Sequence, residues 1–151
     1  MAEKNSLDVI EEETKSLLEQ TGISAQVKVA QEDDTYKIQI DTDENALLIG
    51  KHGNTLSSLE LVLSLIIAQK TGEFRRVLLE VGGYRQARED YLKDLADRLK
   101  EEVLTTGTER VVRDLKPWER RVIHMSLSES TDLITESEGE DRDRVLVIKK
   151  K

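Results

Sequence analysis

The spacing of apolar residues divides the first half of the chain into helices and strands. Apolar positions three and four residues apart predict an amphipathic helix from Ser6 to Gln20, which Gly22 ends. A period of two then predicts a hairpin of two strands joined by the polar turn 31–35. The apolar positions of these strands are Ala25, Val27 and Val29, followed by Tyr36, Ile38 and Ile40.

The hairpin is followed by a short helix from about Asp43 to Ile49, a helix from Asn54 to about Lys70 and a strand over residues 77–81. The apolar face of the longer helix comprises Leu56, Leu59, Val62, Leu63, Ile66 and Ile67. The resulting order, α-β-β-α-α-β, predicts an α+β domain. Gly82-Gly83 is the best boundary, so the expected domains are residues 1–82 and 83–151.

The second domain begins with a long predicted helix from Tyr84 to about Thr106. Its apolar stripe comprises Ala87, Tyr91, Leu92, Leu95, Leu99 and Val103. A short strand at 111–112 follows, and Pro117 suits the first turn of a helix that extends to about Ser128. Two last strands, over 132–135 and 144–149, flank a charged turn. These elements predict a small α/β domain.

Composition indicates an ordered cytoplasmic protein. The chain is 37% hydrophobic and 36% charged, with a single proline, which is typical of a folded, helix-rich protein. The absence of cysteine excludes disulfides and thiolate metal ligands. The longest apolar run, Leu61–Ala68, is far too short to cross a bilayer, and the start of the chain is acidic where a signal peptide is apolar. We therefore expect no membrane insertion.

The net charge of −8 is unevenly distributed along the chain. Residues 1–45 hold 12 acidic and 4 basic side chains, whereas residues 46–151 hold 19 of each. Basic clusters in this neutral part lie at Arg75-Arg76 and between Arg110 and Arg121. A polyanionic ligand is therefore compatible with the sequence, with modest and salt-sensitive affinity.

Gly50-Lys51-His52-Gly53 lies between two predicted helices. Glycines three residues apart allow a tight turn and a close approach to another backbone. The helix that starts at Asn54 offers unpaired N–H groups and its positive dipole end, both of which favour phosphate. Lys51 adds a cation, and His52 adds a donor or a stacking ring. Alone, this spacing is weak evidence, because ordinary turns account for most of its occurrences.

In its context the tetrapeptide resembles the signature loop of a type II KH domain. The element order and Ile-Gly-Lys-His-Gly at residues 49–53 carry the resemblance, which covers about residues 6–81. It implies that the loop, with Asn54, clamps about four nucleotides of a single strand. In that family, apolar residues of the preceding helix and the neighbouring strand line a groove beside the loop. Periodicity assigns the corresponding residues here to the core: Ile38, Leu47, Leu48 and Ile49.

Arg120 and His124 are one helical turn apart and therefore share one face of the helix that begins at Pro117. Guanidinium and imidazole groups bind phosphate oxygens and stack on bases. Arg121 borders the same face. We expect accessory phosphate contacts at Arg75, Arg76 and Arg113.

The sequence around this pair, from Leu115 to Leu127, resembles the R-three-H domain, which is named for its Arg-x-x-x-His signature. Residues 137–140 and 144–145 resemble the closing hairpin of that family, so the resemblance covers about residues 84–150. It implies single-stranded nucleic-acid binding with Arg120 and His124 on the contact face. The preference between RNA and DNA stays open.

A KH domain followed directly by an R-three-H domain resembles the bacterial Jag family, the SpoIIIJ-associated proteins also called KhpB or EloR. Its members bind RNA and influence cell elongation and division, several of them with a small separate KH protein. The resemblance implies a post-transcriptional regulator that binds single-stranded RNA, with a small KH-domain protein or a second copy as partner. Many members carry an N-terminal Jag domain and a linker, which we expect this chain to lack.

Two other functional classes compete with RNA binding. The two histidines are 72 positions apart, and no motif indicates a catalytic triad or a metal site. Acidic residues between Glu136 and Asp143 alternate with arginine around a turn, which favours solvated side chains over a metal-dependent nuclease. We therefore expect neither enzyme activity nor a cofactor. The serious alternative is a protein-interaction scaffold that pairs through its KH domain.

Overall fold

The computed structural model describes residues 5–151, which form two compact units divided between Arg85 and Gln86. The first unit contains α1 (Ser6–Gln20), β1 (Gln26–Glu32), β2 (Thr35–Asp41), α2 (Asn45–Ile49), α3 (Asn54–Thr71) and β3 (Arg76–Val81). The chain continues through α4 (Tyr84–Thr106), β4 (Arg110–Val112), α5 (Pro117–Leu127), β5 (Leu133–Glu138) and β6 (Val145–Lys150). The predicted α+β class and the order α-β-β-α-α-β are confirmed.

The first unit is a three-stranded sheet with helices packed on one face. The strand order is β1-β2-β3, with β1 and β2 antiparallel and β2 and β3 parallel. The period of two places Tyr36, Ile38 and Ile40 on the buried face, opposite Val77, Leu79 and Val81 of β3. Apolar side chains of α1 and α3 complete this core, among them Ile10, Leu18, Leu63 and Ile67.

The second unit is built around an antiparallel sheet in the order β4-β6-β5. Its central strand, β6, buries three consecutive residues, Leu146 to Ile148. Ile123 and Leu127 of α5 and Leu92, Ala96 and Val103 of α4 pack into the same core as Leu146 and Ile148.

Four positions predicted to be buried are exposed: Leu47 (63%), Val62 (43%), Tyr91 (48%) and Ala87. The five-residue helix α2 can bury only one face, and Leu48 occupies it. On α3 and α4 the core is reached by Leu63 and Leu92, each about 100° further around the helix than its exposed neighbour. Consecutive apolar residues therefore do not reveal which helical face is buried.

Element ends differ slightly from the predicted ones: α2 begins at Asn45, and β5 continues to Glu138. Within residues 5–151, no helix is both long and apolar enough to span a membrane.

Candidate nucleic-acid interface

The loop between α2 and α3 is a tight turn shaped by positive φ angles. Gly50 (φ 68°) ends α2, and its N–H donates to the Ala46 carbonyl at 3.0 Å. His52 (φ 52°) and Gly53 (φ 73°) follow in the left-handed region, and α3 starts directly at Asn54. Side chains larger than hydrogen are disfavoured there. The glycines therefore suit both ends of the turn, and His52 is held in a sparsely populated conformation.

Tyr84, the first residue of α4, packs against the second glycine of this loop. A Cβ atom on Gly53 would lie 2.7 Å from Cε1 of the Tyr84 ring. A Cβ atom on Gly82 would similarly lie 2.8 Å from Nδ2 of Asn45, at the start of α2. The segment 82–84 therefore packs against both ends of the region: Gly82 lies against the first residue of α2, and Tyr84 lies against the last residue of the loop. From the sequence alone, Gly82-Gly83 indicates only a domain boundary, and the glycine pair is the one local signal of this contact.

Lys51 and His52 are exposed on the loop, whereas Gly53 beneath them is buried. Lys51 makes no ion pair with any residue of the described chain, 5–151. Of the residues expected to flank the loop, Ile38 and Leu48 are buried, Ile49 is half-buried and Leu47 is exposed. This stretch presents a cation, an imidazole ring and an apolar side chain next to the start of an 18-residue helix.

The three predicted accessory arginines are not equivalent. Arg75 donates to Glu73 Oε2 at 3.1 Å, and its guanidinium carbon lies 5.6 Å from the centroid of the Tyr36 ring. Its cation is therefore already engaged. Arg76, at the start of β3, and Arg113, after β4, are exposed and make no ion pair with residues 5–151.

His124 lies on the flank of α5 that faces β5, and Arg120 lies one helical turn before it on α5. His124 is exposed, and its Nδ1 is hydrogen-bonded to Thr135 Oγ1 of that strand, so Nε2 is the ring nitrogen available to a ligand. Arg120 is half-buried, with Nη1 donating to the Leu115 carbonyl at 2.6 Å. Arg121 is exposed. Helical geometry brings Arg120 and His124 to one side of α5, with side chains about 40° apart around its axis.

Glu119, which precedes Arg120, is a buried carboxylate that sequence reasoning missed. It is 1% exposed and pairs with Arg88 of α4. Its second oxygen accepts the Lys116 N–H at 2.9 Å, which satisfies a donor at the start of α5. The only local signal was a glutamate at the third position of a helix beginning with proline.

No cluster of three His, Cys, Asp or Glu side chains within residues 5–151 is placed to hold a metal ion. Two carboxylates of the acidic hairpin, Glu136 and Glu138, lie 3.3 and 3.7 Å from Lys149 Nζ. This arrangement is typical of a solvated, charge-paired strand edge.

Comparison with known proteins identifies both units. A family model described as the KH domain of KhpA/KhpB matches residues 7–81, and a model of the R-three-H domain matches residues 90–150. The chain is similar to RNA-binding protein KhpB of Bacillus subtilis strain 168, with 34% identity over 127 residues, covering 83% of this chain and 61% of the relative.

Two further relatives carry the same name. RNA-binding protein KhpB of Clostridium symbiosum is 32% identical over 74% of this chain and 50% of its own length. That of Lactiplantibacillus plantarum is 30% identical over 88% of this chain and 41% of its own length. The chain thus spans about half the length of the curated relatives it matches.

Residues 7–81 form a KH domain, and residues 90–150 form an R-three-H domain. The chain therefore belongs to the KH and R-three-H domain families, with the KH domain first, and it is similar to relatives named RNA-binding protein KhpB.

Proposed function

We propose that this protein binds single-stranded RNA through two contact sites. The first is the loop from Gly50 to Asn54, and the second is the part of α5 that carries Arg120, Arg121 and His124. The observation that carries the proposal is the loop itself, where two left-handed glycines expose Lys51 and His52 in front of the N-terminus of α3. Relatives named RNA-binding protein KhpB support RNA as the ligand.

In the KH domain, backbone N–H groups at the start of α3 would bind phosphate oxygens, and Lys51 would add a cation. Exposed Leu47 offers an apolar surface for a base. Since none of these groups reads base edges by a fixed pattern of donors and acceptors, the loop would bind with little sequence stringency.

In the R-three-H domain, His124 and Arg121 would contact the strand directly. Arg120, held by the Leu115 carbonyl, would present its remaining N–H groups in a fixed orientation. Each site alone is small. Two weak sites on one chain raise the apparent affinity through effective concentration when both bind the same strand.

Mobility-shift assays with short single-stranded RNA test the proposal on Lys51→Asp, His124→Ala and the double variant. We expect each single change to weaken binding and the double change to weaken it further, with circular dichroism unchanged. Lys28→Asp makes the same charge change at an exposed site on β1 and serves as control. Wild-type binding by all three variants would contradict the proposal, and competition with single-stranded DNA measures the preference between the two nucleic acids.

We further propose a cytoplasmic, post-transcriptional regulator that affects cell elongation and division. This part rests on the resemblance to the Jag family. Crosslinking in cells followed by sequencing of the attached RNA would identify the transcripts. Cell length in a strain carrying Lys51→Asp would connect RNA binding to shape, and normal cells with undetectable crosslinking would contradict this role.

Pairing of the KH domain with another KH domain is a second candidate function, and a specific surface favours it. Leu61 (60% exposed), Val62 (43%) and Leu65 (56%) form an apolar patch on the outer face of α3. Exposed apolar patches commonly mark interaction sites. The occupant we propose is a second copy of this domain or a small KH-domain protein.

Sedimentation of Leu61→Glu/Leu65→Glu tests this pairing. We expect the variant to be monomeric under conditions in which the wild type associates. Phe74→Glu, at a 66% exposed apolar position outside α3, is the control. If the α3 variant associates like the wild type, this surface is not the pairing site; if it loses association and keeps RNA binding, the two functions are separate.

A further inference from the structure

A cleft of about 480 Å³ lies between α4 and α5 in the second unit. Trp118, Val122 and Met125 of α5 supply its apolar lining. Arg121 of α5 and a Glu89–Lys93 pair of α4 line it as well. Trp118 is half-buried and packs against the core, whereas Met125 is 63% exposed. An aromatic ring and an exposed thioether in one open cleft form a surface suited to a flat apolar ligand.

This cleft is separate from the face that carries Arg120 and His124. The His124 side chain points towards β5, where it is bonded to Thr135, and Arg120 donates to the Leu115 carbonyl. Trp118 and Met125 project roughly 130° further around the axis of α5, towards α4. Arg121 projects between the two groups, so a strand bound at His124 reaches the cleft by crossing Arg121.

The charge of the cleft favours an anionic ligand. Its one carboxylate, Glu89, is paired with Lys93 Nζ at 2.9 Å. Arg121 is exposed, makes no ion pair with residues 5–151, and is therefore the unbalanced charge. A neutral peptide would leave this guanidinium without a counterion, whereas a nucleotide supplies both a flat ring and a phosphate.

We infer that the cleft is a nucleobase-binding subsite of the R-three-H domain. One base of the bound strand stacks on Trp118 and Met125, and the adjoining phosphate pairs with Arg121. The inference rests on the proposed RNA binding and extends it, because α5 then contacts the strand on two flanks. Since stacking strength grows with ring area, the cleft binds purines more tightly than pyrimidines.

Trp118 is the only tryptophan of the chain, so its fluorescence reports directly on the cleft. The full chain is titrated with labelled oligo(A) and oligo(U), and tryptophan emission and label anisotropy are recorded together. We expect emission to be quenched in parallel with the rise in anisotropy, and more strongly by oligo(A).

Met125→Glu places a carboxylate beside Arg121 without disturbing the core. We expect it to weaken oligo(A) binding by about fivefold or more, the loss typical of one stacked base, and to reduce the quenching at equal saturation. Val111→Glu changes another exposed apolar residue of the same unit, 42% exposed on β4, and should bind like the wild type.

Three outcomes would overturn the inference. RNA binding that is sensitive to Lys51→Asp but leaves both Trp118 emission and Met125→Glu affinity unchanged would exclude the cleft while retaining the proposed function. Loss of self-association in Met125→Glu with normal RNA binding would make the cleft a protein-docking surface. If the wild type binds no single-stranded RNA, the proposed function and this subsite both fail.

Discussion

Arg88 Nε lies 2.8 Å from Glu119 Oε1, in an ion pair that joins α4 to α5. The arginine side chain is 13% exposed and the carboxylate 1%. Arg88 also lies over the Tyr91 ring, with its guanidinium carbon 5.1 Å from the centroid. Because Glu119 also accepts the Lys116 N–H, one carboxylate fixes the start of the helix that carries Arg120 and His124.

Arg88→Met should destabilise the second unit strongly, because it leaves a buried carboxylate without its cation. Breaking a buried ion pair on one side costs about 3 kcal/mol or more. The free energy of unfolding, measured with urea, tests this expectation. Arg98→Met changes an exposed arginine of the same helix and is the control. A loss no larger than that of the control would show that the pair contributes little.

The contact between Gly53 and Tyr84 predicts unequal effects of alanine at two glycines with similar φ angles. A Cβ atom on Gly72 (φ 79°) would point into open space, so Gly72→Ala should cost about 1 kcal/mol for the left-handed backbone alone. Gly53→Ala adds the clash with the Tyr84 ring and should cost clearly more. Urea unfolding measures both.

Tyr84→Ala provides the decisive background for this comparison. With the ring removed, Gly53→Ala should approach the cost of Gly72→Ala, so the two changes at the loop should be less than additive. Strict additivity would show that Tyr84 does not constrain the loop.

The partly buried carboxyl group of Glu60 should make the stability of the first unit depend on pH. Its Oε1 accepts the Leu79 N–H at 3.1 Å, at the edge of the first sheet. Burial raises the pKa of Glu60 above its usual value, although the Leu79 N–H and the charges of Arg85 and Arg76 lower it. The folded state therefore binds the proton more tightly than the unfolded state, and ionisation destabilises the fold as the pH rises through the folded pKa.

Glu60→Gln keeps an oxygen for Leu79 and removes the buried charge. We expect the variant to be more stable than the wild type at pH 7 and equally stable below about pH 4, where the carboxyl is protonated in both states. Urea unfolding across this range measures the difference, with the exposed Glu101→Gln as control. A variant that is less stable than the wild type at neutral pH would contradict the view that the ionised Glu60 carboxylate destabilises the fold.

The parts of the fold that local signals determine were predictable from the sequence. The bounds of α1 and α4 agree with the predicted ones because Gly22 and Gly107 stop these helices. The loop glycines were visible because a left-handed turn requires them. Exposure of Leu47 was not predictable, since the face that a short helix buries depends on what packs against it.

The contacts that hold the candidate site residues in place could not be predicted from local sequence patterns. Arg88 and Glu119 are 31 positions apart, and His124 and Thr135 are 11 apart, so only the packed chain brings them together. Gly53 and Tyr84 likewise come into contact only because β3 returns the chain to the side of the sheet where the loop lies. The candidate contact residues lie within short motifs, whereas the residues that hold them in place come from elsewhere in the chain.

Salt dependence tests whether the loop of the KH domain holds phosphate. Each phosphate neutralised on a single strand releases counterions and contributes roughly −0.7 to the slope of log K against log salt. Lys51→Gln removes one cation that is exposed and not ion-paired within the described chain, so the slope should become shallower by about that amount. Lys28→Gln, on β1, should leave it unchanged. Affinities measured by anisotropy at several salt concentrations give the slopes, and equal slopes for the wild type and Lys51→Gln would show that Lys51 binds no phosphate.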